Sequence, residues 1–83
     1  MAVTEAEVLK GLSDIVSEET GIDAAEIVSE KSFTDDLDID SLSMMTIVTL
    51  AEERFDIRIP DEEVKNLVTV GDAVSFITAS LNA

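Results

Sequence analysis

The sequence contains no cysteine and no histidine. Without cysteine there is no disulfide framework and no thiolate of the chain's own. Without histidine, the Ser-His-Asp and Cys-His nucleophilic arrangements and the usual zinc ligand sets are excluded as well. Any reactive thiol has to be imported. Positive charge is also scarce, with 5 Lys and Arg against 19 Asp and Glu and a formal net charge of −14. A nucleic-acid backbone is bound by Lys and Arg that displace its counterions, so nucleic acid is a poor partner, and anionic membrane surfaces fail on the same ground. No apolar run approaches the roughly 18 residues of a membrane span. Met1 to Glu7 lacks the basic and apolar regions of a secretory leader, so a cytoplasmic protein without membrane insertion is expected.

What is present is a short, acidic, apolar-rich chain. Its 83 residues suffice for a single domain, 1–83, with one modest core. A domain this small rarely builds a deep cleft, which favours a carrier or adaptor over an enzyme. With 46% hydrophobic residues the chain is not of the highly charged, apolar-poor kind that stays disordered. Its acidity keeps it soluble and suits it to basic patches on other proteins, where opposite charge speeds encounter and sets specificity.

Hydrophobic spacing predicts helices and no strands. Thr4-x-x-Glu7 has the form of a capping box, and Val8, Leu9, Leu12, Ile15 and Val16 make the first helical stripe, which Gly21 ends. Residues 22–40 form a connection too long to be a bare loop. Ile22, Ile27, Val28, Phe33 and Leu37 are candidate anchors, and Asp23-x-x-Glu26 is suited to cap a short turn. A second helix is expected from about Ser41 to Phe55 with Asp40 as N-cap, and a short third one after Ile59-Pro60, with Val64 and Leu67 facing inward. A last helix follows Thr69-x-x-Asp72 and carries Val70, Ala73, Val74, Ile77 and Leu81. The expected fold is therefore all-α, a small four-helix bundle of three longer helices and one short third helix, with a long loop between helices one and two.

Two features of the second helix bear on function. Leu42 and Met45 fall outside the arc of Met44, Ile47, Val48, Leu50, Ala51 and Phe55, among Thr46, Thr49, Glu52 and Glu53. Either Leu42 packs under the preceding loop and Met45 straddles the edge of the buried arc, or the two form an exposed docking patch, for which methionine is well suited. Asp36-x-Asp38-x-Asp40 has the spacing that opens a calcium loop, but Ser41 replaces the required glycine and Ile47 the bidentate glutamate. A dedicated metal site is not expected.

Ser32-Phe33-Thr34-Asp35-Asp36-Leu37-Asp38-Ile39-Asp40-Ser41-Leu42-Ser43-Met44 resembles the phosphopantetheine attachment segment of acyl carrier proteins, whose core is Asp-Ser-Leu at a helix start. The likeness extends to Glu52-Glu53-Arg54-Phe55, Ile59-Pro60-Asp61-Glu62-Glu63, Thr69-Val70-Gly71-Asp72 and the chain length. The Leu-Asp-Ile-Asp-Ser-Leu-Ser-Met form is similar to carriers of actinobacterial type II fatty acid synthesis. The resemblance implies a non-catalytic shuttle. A phosphopantetheinyl transferase would move 4′-phosphopantetheine from coenzyme A, with Mg²⁺, onto the Ser41 hydroxyl, supplying the missing thiol. The growing acyl chain would ride on that thiol as a thioester.

By the same likeness Asp40, Leu42, Met45, Glu52, Glu53, Ile59 and Asp61 sit where such carriers meet basic patches on ketosynthases and other fatty acid synthesis enzymes. A monomer is implied, as is a flexible apolar interior that shelters the acyl chain. Ser43 and Thr46 stand where relatives are often acidic. Asp38-Ile39 stands where Gly-Ala is common, which implies a stiffer loop. The alternatives are a carrier for polyketide, aminoacyl or D-alanyl groups, or an acidic helical interaction module with no prosthetic group.

Overall fold

A computed structural model describes residues 3–82. Met1 and Ala2, at the head of the acidic N-terminal stretch, and Ala83 lie outside the described residues. The order of elements is α1 (Glu5–Thr20), a single 3₁₀ turn (Ala24–Glu26), α2 (Ser41–Phe55), α3 (Asp61–Val64) and α4 (Val70–Leu81). Among the described residues there are four α-helices and no strand, as the spacing predicts.

Three of the four helices, α1, α2 and α4, start where a side chain satisfies one of the first unpaired amides. Thr4 Oγ1 accepts from the Glu7 N–H at 3.3 Å, which is one half of the expected box. At α4 the box is complete: Thr69 Oγ1 accepts from the Asp72 N–H, and the Asp72 carboxylate accepts from the Thr69 N–H, both at 3.1 Å. Gly21 ends α1 at φ 79°, the left-handed conformation in which glycine carries no steric cost.

α1 packs against both α2 and α4, and the core lies between these three helices. Leu12, Ile47, Ile77, Val8, Val16 and Val70 are its most deeply buried helical side chains. α3 is different. It has four residues, none of them buried, and no side chain caps its start at Pro60. Val64 is half-buried, while Leu67 is buried from the turn that follows the helix. The element therefore leans on the bundle through its flanks.

The long connection is pinned at both ends. Ser13 Oγ donates to the Ile27 carbonyl at 3.1 Å inside the core. Asp23 caps the 3₁₀ turn by accepting from the Ala25 N–H. Further on, a backbone clasp joins the loop to the start of α4: the Phe33 N–H donates to Val68 O, the Val70 N–H to Lys31 O and the Gly71 N–H to Ser29 O, at 3.0, 2.9 and 3.0 Å. Ile27, Phe33 and Leu37 are buried as expected. Val28 is not an anchor. It is 37% exposed, because the turn after Ile27 faces it outward.

Candidate functional site

The chain reaches Ser41 through an alternation of apolar and acidic residues. Leu37 and Ile39 are buried, while Asp36, Asp38 and Asp40 are exposed. The Ile39 N–H donates to the Phe33 carbonyl at 2.9 Å, so the approach is held on both sides of Asp38. That residue sits at φ 53° in the left-handed region. The structure therefore explains why glycine suits this position. Asp38 does more than stiffen the loop: it occupies a conformation that costs most L-residues about 1–2 kcal/mol and that Asp tolerates better than most.

Asp40 is the N-cap of α2, and its Oδ1 accepts from the Ser43 N–H at 2.8 Å. Backbone and side-chain hydrogen bonds from Ser43, with the Leu42 amide adding to them, hold its carboxyl below the usual range. The positive end of the helix is thus already answered by a carboxylate. A phosphate on Ser41 would not be gripped by the helix end; it would be carried outward beside Asp40. Asp36 is used locally as well, accepting from the Ser32 N–H at 2.8 Å. Among the described residues no three acidic side chains converge as a metal site.

Ser41 itself is exposed on the first residue of α2. Around it lie three of the four large exposed hydrophobic residues of the described chain, Leu42 at 80%, Met45 at 46% and Val68 at 55%. Leu42 therefore forms surface and does not pack under the loop, and Met45, about half exposed, borders the same surface. Beside Ser41 runs an apolar groove of about 350 Å³, floored by Phe33, Met44, Met45, Val64, Leu67 and Val68 and also lined by Lys65. A larger hollow of about 470 Å³ lies on the first loop, between Ile22 and Leu37. Its lining includes Glu26, Lys31 and Asp36 but no part of the Ser41 surroundings, so the smaller groove is the one with functional placement.

The interior behind that groove is almost filled. A void of about 10 Å³, room for about one water, is surrounded by core residues that include Phe33, Met44 and Leu67, which also line the groove. These three side chains separate outside from inside. Val68 and Lys65 were not legible as site residues, because nothing in their local pattern marks them; the fold brings them to Ser41 from the other end of the chain.

The remaining expected surface residues divide. Glu53 and Asp61 are exposed. Ile59 is buried, at 5%, and lines the interior void, so it is corrected from a surface residue to a core residue. Glu52 is half-buried, and its Oε2 accepts from the Ile59 N–H at 2.7 Å.

Residues 10–77 match the family described as phosphopantetheine attachment site. The chain is 64% identical over 80 residues to an acyl carrier protein of Beutenbergia cavernae, covering 96% of this chain and 98% of that protein. It is 68% identical over 74 residues to acyl carrier proteins of Myxococcus xanthus and Micrococcus luteus, covering 89% of this chain and 94% and 91% of theirs. The solved structure of the acyl carrier protein from Enterococcus faecalis superposes with a TM-score of 0.78 at 35% identity, over 94% of this chain and 99% of that one. With a helical bundle, an exposed serine at the head of α2 and these relatives, the chain belongs to the acyl carrier proteins, which bear a covalent 4′-phosphopantetheine and carry acyl groups without catalysing their chemistry.

Proposed function

We propose that Ser41 is the attachment residue and that the chain, as one domain, shuttles acyl groups among the enzymes of fatty acid synthesis. The observation that carries this is the placement of Ser41: exposed at a helix start, beside an apolar groove and inside an exposed apolar patch. A phosphopantetheinyl transferase joins the phosphate of the arm to Ser41 Oγ as a phosphodiester, as the pyrophosphate bond of coenzyme A breaks and adenosine 3′,5′-bisphosphate leaves. With no histidine or cysteine in the chain, the base that takes the serine proton belongs to the transferase. The arm then supplies the thiol on which the acyl group is held.

Partner enzymes, ketosynthases among them, meet this face through basic patches. Leu42 and Met45 provide the apolar contact, and Asp40, Glu53 and Asp61 the charge. The acyl chain leaves water by the groove and the core beneath it. A monomer in the cytoplasm suits a small, strongly acidic shuttle that has to diffuse between enzymes.

Intact mass spectrometry after incubation with coenzyme A, Mg²⁺ and a phosphopantetheinyl transferase tests the site. The parent is expected to gain one phosphopantetheinyl group and Ser41→Ala none. Equal gain by both proteins would overturn the assignment.

A further inference from the structure

One residue holds the whole turn between α2 and α3. The carbonyl of Glu52 accepts from the N–H groups of Asp56 and Ile57, the latter at 3.1 Å, and its carboxylate accepts from the Ile59 N–H at 2.7 Å. Asp56 lies between these bonds at φ 54°, and Ile59 presents its side chain to the interior void. Beyond Ile59 comes α3, which starts without a side-chain cap and buries none of its own residues. The connection on the far side of α3 is fixed to the first loop by the Phe33–Val68 and Lys31–Val70 backbone bonds. The segment 60–67 is therefore tied at its two ends and loosely held between them.

We propose that Glu52 is a latch: by fixing Ile59 it holds the α3 side of the core shut, and so sets how readily the interior opens for an acyl chain. Glu52 lies about three turns along α2 from Ser41, near the other end of the helix, so it acts as a positioning residue. Glu53, its neighbour, is exposed and free to serve docking, and the two adjacent carboxylates differ in task. The link to cargo rests on the proposed sheltering of the acyl chain in the core; the latch itself does not.

Amide hydrogen exchange on the unmodified protein tests the latch without any prosthetic group. Glu52→Ala is expected to speed exchange at Ile59 by about ten- to a hundredfold, the range spanned by a charge-assisted hydrogen bond. Residues 61–67 should follow, while the amides of Val8 to Val16 in α1 keep their protection. Glu52→Gln, which retains an acceptor oxygen, should fall between, and it remains informative if the alanine variant does not fold. Glu53→Ala removes the same charge and is expected to change none of these rates. Equal acceleration by Glu53→Ala, or unchanged Ile59 exchange in Glu52→Ala, would overturn the latch.

The cargo role is read from thioester cleavage by hydroxylamine in acetyl- and octanoyl-loaded protein. Glu52→Ala should hasten cleavage of the octanoyl form and leave the acetyl form, too short to use the core, unchanged. A proportional change in both forms, or in neither, would overturn it. Failure of Ser41 to load would be seen separately by mass, with the exchange result standing.

Discussion

The ring of Phe55, at the end of α2, lies over Gly11 in the middle of α1. A Cβ added at residue 11 would stand 2.8 Å from Phe55 Cζ and 3.1 Å from Arg54 Nε. The two helices approach here as closely as the missing side chain allows. Gly11→Ala gains about 1 kcal/mol of helix propensity but loses about 1–3 kcal/mol to overpacking, so a net fall in stability is predicted. In a Phe55→Leu background the closest contact is gone and only the exposed Arg54 side chain has to move aside, so the same change should stabilise. Urea melts of the four proteins check this; a stabilising Gly11→Ala in the parent would count against the contact.

At Asp38 the prediction follows from φ 53°. Asp38→Gly removes a left-handed L-residue and one negative charge, and is expected to stabilise by up to about 1 kcal/mol. Asp38→Val should cost about 1–2 kcal/mol or more, since a β-branched side chain is strained there. Thermal melts of both variants read the sign directly.

Much of the fold was legible because apolar residues recur at helical spacing and the three longer helices begin at Thr4, Asp40 and Thr69, whose side chains cap them. The site was half legible. Leu42 and Ser41 are exposed because α2 starts at Asp40, a local fact, whereas Val68 joins them through the backbone clasp at Phe33, which no side-chain pattern encodes. Ile59 was misplaced for a related reason. Its neighbours Arg58, Pro60 and Asp61 are all exposed, while Ile59 faces the core with its N–H held by the Glu52 carboxylate, a contact seven residues away in sequence.

The lowered pKa of Asp40 has a defined pH signature. A carboxyl whose folded-state value is depressed contributes stability that is fully present above its ordinary value, 3.8, and is lost as pH falls through the lower folded-state value. Asp40→Asn keeps a capping oxygen and cannot titrate. The parent should therefore be the more stable of the two near neutrality, and its margin over Asp40→Asn should shrink as pH drops below 3.8. Parallel melting curves across that window would show that the cap makes no charge-dependent contribution.

Self-repulsion should be measurable in the whole molecule. With a net charge of −14, and a single ion pair among the described residues, Arg54 with Asp14 at 3.9 Å, little compensates the like charges. Added salt or millimolar Mg²⁺ is expected to raise the melting temperature by screening. An unchanged midpoint between low and physiological ionic strength would count against this account.

The apolar patch can be separated from the fold. Leu42 is 80% exposed, so Leu42→Ala should alter folding stability by less than about 0.5 kcal/mol. The same change should weaken turnover by a partner enzyme, seen as a raised KM for the carrier. A large loss of stability would mean that Leu42 packs in solution.

A core with space for about one water has a consequence for the loaded protein. An acyl tail that enters it has to push the helices apart, so the molecule becomes a gauge of what it bears. Each added methylene would alter its breathing, its shape and its resistance to unfolding. An enzyme able to sense that loosening could tell a short passenger from a long one without touching it.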